Sequence, residues 1–139
     1  MSAFRMYIRV VSDSLTPEEI TVRLDVEPDV AHAIGSRRRP ESPQRSHTTW
    51  VREAKAAMDN PRPENLEPVV LQWGDRFASA LEQLSNSGEA EVSLVIVQRV
   101  RDIESSDEKG IFFGVGLITW LARARAALDI DQYILHDFE

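Results

Sequence analysis

Apolar and polar residues alternate from Phe4 to Val11, with Phe4, Met6, Ile8 and Val10 on one side and Arg5, Tyr7 and Arg9 on the other. A period of two predicts a strand with one face buried. Ser12-Asp13-Ser14 ends it, and Thr16-Pro17-Glu18-Glu19 reads as a helix start. Thr16 can cap, Pro17 suits the first helical position, and Glu19 lies three residues on, where it closes a capping box. This helix is expected to finish by Asp25, because Pro28 follows.

Further along, Leu66, Val69, Val70, Trp73, Phe77, Ala80, Leu81 and Leu84 recur at helical spacing. They predict one amphipathic helix of about twenty residues, with Asn65 as its cap and Pro68 in its first turn. Ser85-Asn86-Ser87-Gly88 stops it. The next run, Glu91 to Val100, is apolar on both faces, since Val92, Leu94 and Ile96 alternate with Val95 and Val97. Such a strand is usually covered on both sides. An acidic turn and Gly110–Val115 read as the tip and returning strand of a hairpin. Leu117, Ile118, Leu121, Ala124 and Leu128 predict a second helix with Trp120 on its flank, and residues 129–135 a closing strand.

With residues 14–63 set aside, the order is strand, helix, strand, strand, helix, strand. That pattern predicts an α+β domain with a ferredoxin-like split βαβ antiparallel sheet and two main helices on one face. The 14–63 segment is then an insert carrying a short helix and a short strand at His47–Val51, free to extend the sheet or cover its open face. In this topology the strand at 92–97 lies at an edge. Its second apolar face then needs the insert or a partner chain, which offers a route to a homodimer.

The length of 139 residues fits a single domain spanning 1–139. There is no cysteine, which removes disulfides, thiol chemistry and Cys-zinc sites. Sixteen basic residues against 23 acidic ones give a net charge of -7, which argues against a nucleic-acid coat. No signal-peptide pattern and no membrane-length apolar run occurs, so a cytoplasmic protein is the expectation. The charge is uneven. Residues 35–62 hold seven basic side chains against three acidic ones, and the loop at 35–47 alone holds Arg37, Arg38, Arg39 and Arg45.

Three landmarks coincide along the chain. They are the strand followed by Thr16-Pro17-Glu18-Glu19-Ile20-Thr21, the Gly35-x-Arg37-Arg38 loop leading to Ser46 and Trp50, and the closing Leu128-Asp129-Ile130-Asp131-x-Tyr133. Together they resemble the bacterial domain of unknown function DUF4279 over nearly the whole chain. The resemblance implies an α+β domain of bacterial origin and brings no activity or catalytic residue with it. Gln132 interrupts the apolar–acidic alternation expected there.

Candidate chemistry is sparse. His32, His47 and His136 are scattered, without the helical pair a zinc site favours, and His136-Asp137 offers only two adjacent ligands. Neither a metal nor a cofactor is expected. Ser46, His47, Thr48 and Thr49 supply residue types for nucleophilic catalysis, but no G-x-S-x-G elbow is present. Asp129 and Asp131 would share one face of a strand about 7 Å apart, a spacing open to two-carboxylate chemistry and equally ordinary on a wet face. The arginine loop lacks the glycine spacing and lysine of a P-loop, yet its guanidinium forks suit carboxylates or phosphates. The alternative is that these arginines pair with the chain's own carboxylates. Trp50 has two readings: exposed, it is an anchor beside the arginines; buried, it pins the insert to the sheet, and burial is favoured.

The leading expectation is a non-enzymatic binding module. It would recognise a protein partner or a small anionic ligand through Arg37, Arg38, Arg39, Arg45, His47 and Trp50. An immunity-type protein that neutralises a toxin is one form of it, by analogy. The rival is a small enzyme with His47 as acid or base and the arginines holding an anionic substrate. A pocket lined by both His47 and the arginines would favour the enzyme, and a flat exposed patch the binder.

Overall fold

In a computed structural model of the chain, residues 3–102, 104 and 110–135 are described. The His136-Asp137 pair and most of the acidic turn at 102–108 lie outside these residues. The elements are β1 (Phe4–Ser12), α1 (Pro17–Leu24), β2 (Val30–His32), β3 (Thr48–Glu53), α2 (Pro63–Gln72), α3 (Gly74–Asn86), β4 (Glu91–Val100), α4 (Val115–Ala124) and β5 (Ala127–Ile134). The strands form one sheet in the order β2-β3-β1-β4-β5. β4–β5 is parallel, and the other three pairings are antiparallel. The class is α+β.

β1 forms as its alternation predicts. Phe4, Met6, Ile8, Val10 and Ser12 are buried, while the residues between them are half-buried. The buried face meets Leu94 and Ile96 of β4, Trp50 of β3, and Ile20, Leu66, Val70, Phe77, Leu81, Leu117 and Trp120 from the four helices. All four helices therefore cover one face of the sheet. The capping box of α1 is present: Glu19 N–H donates to Thr16 Oγ1 (3.1 Å) and Thr16 N–H to Glu19 Oε1 (2.9 Å).

The structure departs from the sequence reading at several places. First, the sheet is mixed and carries four helices, where the sequence pattern predicts an antiparallel ferredoxin-like sheet with two main helices. The 14–63 segment extends the sheet through two strands, β2 as well as β3, in addition to α1. The long helix is broken in two. Gly74 takes a left-handed φ of +84°, which ends α2 and redirects α3. Its carbonyl accepts the Trp120 indole N–H at 3.1 Å, so the break seats one helix pair on another helix. α2 also starts earlier than expected, at Pro63. Asn65 is therefore inside the first turn, where its Oδ1 accepts Arg62 N–H (3.0 Å), and Pro68 lies in the helix interior.

The remaining two departures are linked. Residues 110–114 form no strand; Ile111 and Phe113 turn into the core. β4 already has β1 on one side and β5 on the other, so no hydrogen-bonding edge is open to a returning strand. Instead the chain runs through α4 and rejoins the sheet as β5, parallel to β4. The strand at 92–97 is consequently interior and not at an edge, and pairing with a second chain through it is ruled out by its two neighbours. Its second apolar face is covered from within the sheet. Val95 lies between Tyr7 and Asp129, and Val97 between Arg5 and Asp131, and both valines are buried.

Candidate functional site

The loop from Ala33 to His47 joins β2 to β3, and its base is built from backbone bonds. Gly35 N–H donates to Arg45 O and Arg45 N–H to Ser36 O, both at 2.8 Å. Gly35 adopts φ +83°, a conformation open to glycine at no steric cost. Ser36 Oγ donates to Ala33 O (2.5 Å) and accepts from Arg45 Nη1 (3.0 Å). Ile34 N–H donates to the buried Thr48 Oγ1 (3.0 Å), which fastens the loop to β3. At the tip, Ser42 N–H meets Arg39 O (3.0 Å) across Pro40-Glu41. Proline at the second position of such a turn presets the backbone it needs.

On this frame the four arginines divide. Arg37 Nη1 donates to the Ser42 carbonyl (2.6 Å) and Arg45 Nη1 to Ser36 Oγ, so both are positioned by neutral oxygens. Arg38 and Arg39 are exposed and have no side-chain partner among the described residues. None of the four forms an ion pair there. Elsewhere Arg5–Glu53, Arg9–Asp129, Arg23–Glu89, Lys55–Asp29, Arg62–Glu64 and Arg123–Asp75 form ion pairs, whereas Arg52, Arg76 and Arg125 form none among the described residues. Between residues 33 and 47 the only acidic residue is Glu41, itself exposed. Among the described residues, the expectation that internal carboxylates neutralise the loop is not met.

His47 leaves this cluster. Its Nδ1 pairs with Asp13, just after β1, and Asp13 is its only hydrogen-bond partner among the described residues. The pair lines a cleft of about 330 Å³ with Val11, Ser14, Gly88, Glu89, Ala90 and Glu91. No arginine lines that cleft, and its ionisable rim is acidic. The Asp–His couple resembles half of a catalytic triad, but Ser46 makes no hydrogen bond to the ring and Thr48 is buried and committed to Ile34. No group of three potential ligands capable of holding a metal occurs among the described residues.

Trp50 is fully buried. Its indole N–H donates to Thr21 Oγ1 at 3.0 Å, and its ring lies 6.5 Å from that of Phe77. As a binding residue Trp50 is corrected: it joins β3 to α1 and α3 and offers no surface. Trp73 and Trp120 belong to the same aromatic group, with Trp73 edge-on to Phe77 at 5.6 Å and Trp120 6.2 Å from it.

A second charged surface, on the open face of the sheet, was only partly visible in the sequence. Arg5, Tyr7 and Arg9 on β1 stand beside Asp129 and Asp131 on β5. Asp129 and Asp131 share a face as their spacing predicts. The Asp131 carboxyl is raised above its ordinary value, first through a hydrogen bond shared with Asp129, then through desolvation and repulsion from the same neighbour, with Arg9 opposing. Burial pushes the Tyr7 hydroxyl up. Arg9 Nη2 reaches Asp129 Oδ2 at 3.2 Å, and Arg5 Nε reaches Glu53 Oε1 at 3.1 Å. Both cations thus have a carboxylate neighbour, while Asp131 forms no ion pair among the described residues and Arg9 Nε is buried without a hydrogen-bond partner.

The chain belongs to the family described as Domain of unknown function (DUF4279), whose pattern matches residues 2–135. No curated protein and no solved structure matches it. No helix among the described residues is long and apolar enough to cross a membrane.

Proposed function

We propose that the protein is a non-enzymatic binding module whose loop at 33–47 recognises an acidic surface of a protein partner. The observation that supports this reading is the set of four guanidiniums on one loop, none with a carboxylate partner among the described residues, on a chain where six other cations do form ion pairs. Guanidinium forks without a carboxylate partner are donors suited to carboxylates. Arg37 and Arg45 hold the loop's shape, and Arg38 and Arg39 present their whole forks outward. An extended acidic surface suits this arrangement better than a small anion, because none of the clefts lined by described residues includes the four arginines.

The enzymatic alternative requires His47 and the arginines to line one pocket. His47 lines an acidic cleft and the arginines line none of the clefts described, which weighs against an anionic substrate held by both. The test is affinity capture from extract of the native cell with wild-type protein and with Arg37→Ala/Arg38→Ala/Arg39→Ala. The expected result is an acidic protein retained at low salt by the wild type, released by added salt, and lost from the variant. Equal recovery on both baits would overturn the proposal. So would turnover of an anionic metabolite that requires His47.

A further inference from the structure

The two edges of the sheet are unlike. β2 is only three residues long and leads directly into the arginine loop, so it offers little for another chain to pair with. β5 is eight residues long, pairs on one side only among the described residues, and contains no proline, glycine or lysine. Long, flat, unprotected edges invite strand addition, and proteins usually blunt them. Because Leu135 N–H points inward to Val100 O, alternation leaves the backbone groups of Leu128, Ile130, Gln132 and Ile134 pointing out from the sheet. The same residues put their side chains on the helix side, where Leu128, Ile130 and Ile134 remain 45%, 40% and 54% exposed. On the neighbouring α4, Val115 and Ile118 are exposed by 80% and 55%. A free backbone edge and an uncovered apolar underside thus coincide.

We infer that β5 pairs antiparallel with β5 of a second copy of this chain, about a two-fold axis at Gln132. The register follows from charge and from apolar matching, since a pairing centred on Tyr133 would set Gln132 against Ile134. A two-fold pairing centred on Ile130 sets Asp129 opposite the other copy's Asp131, and one centred on Asp131 sets that carboxylate against itself. Like charges directly opposite are destabilising. Centred on Gln132, Ile130 faces Ile134 on the apolar side, and Asp131 faces the phenol of Tyr133 on the other, a donor for an acceptor. The edge is self-complementary in this register, as a two-fold interface must be. The paired edges continue the sheet from one copy into the next, and each copy's α4 lies beside the other's exposed underside.

The test is light scattering over a range of concentrations, combined with cross-linking. The wild type is expected to rise towards twice the 15.7 kDa of the chain, and Ile130→Lys/Ile134→Lys to stay at the single-chain mass with an unchanged circular dichroism spectrum. Should the lysine variant not fold, Gln132→Cys still decides the matter, because the chain has no other cysteine. Residues paired across the axis lie ~5.5 Å apart at Cα, within disulfide reach. Gln132→Cys is expected to form a covalent dimer on oxidation and Ile130→Cys is not. A single-chain mass at every concentration, a dimer indifferent to both lysines, or cross-linking at position 130 in preference to 132 would each overturn the inference.

Discussion

Trp50 fills the junction of β3, α1 and α3 and spends its one polar group on Thr21 Oγ1. Its removal should therefore act on stability and not on recognition. Trp50→Ala is expected to destabilise the fold by ~3–5 kcal/mol, the usual range for a buried tryptophan, as read from urea denaturation. Asp131 makes the opposite case. A carboxyl whose folded pKa is raised binds its proton more tightly in the folded state than in the unfolded one. Its contribution favours folding below the ordinary value of 3.8 and is lost as pH rises through the raised folded value. At neutral pH the charge beside Asp129 works against folding. Asp131→Asn should accordingly raise the melting temperature at pH 7, and the gain over wild type should shrink on acidification towards that ordinary value. A variant less stable than wild type at pH 7 would contradict this account.

Among the elements, the coupling of α2 to α4 has a single polar hinge. Glu67 Oε1 accepts the N–H of Gly114, the residue that precedes α4, at 2.7 Å. A carboxylate at a helix N-terminus satisfies a donor that has no intrahelical partner and complements the helix dipole. Glu67→Ala should cost about 1 kcal/mol in chemical denaturation, a typical cap value, and Glu67→Gln, which keeps an acceptor, should cost less. No pattern in the sequence links these two residues, 47 positions apart. What the sequence does make legible is local. The alternation of β1, the capping box of α1, and the helical faces of Phe77, Leu81, Leu117 and Trp120 are all written within a few residues of each position. The pairing partners are not. A doubly apolar strand such as 92–97 marks coverage on both sides, but periodicity cannot distinguish a chain partner at an edge from inner-strand neighbours. Gln132 shows the same limit. Its break in the apolar–acidic alternation becomes intelligible once its Nε2 is seen 2.7 Å from Oε1 of the buried Gln98, its register partner on β4.

For the molecule as a whole, a chain of net charge -7 carries a loop with four arginines and one glutamate. The density of arginine there is plain in the sequence. Its state is not, because whether carboxylates fold back onto it depends on tertiary contacts. The structure leaves the loop without an ion pair among the described residues and moves His47 and Trp50 out of the cluster, one to an acidic cleft and the other into the core. The proposed recognition surface thereby narrows from six residues to four, with Arg38 and Arg39 at its front. The most direct measurement is the NMR response of the arginine Nε–Hε groups to added poly-glutamate, a stand-in for an acidic protein surface. The account predicts saturable shifts at Arg38 and Arg39, weakened by salt, while Arg9 and Arg23, already held by Asp129 and Glu89, stay in place. Shifts spread evenly over paired and unpaired arginines, or none in the loop, would contradict it.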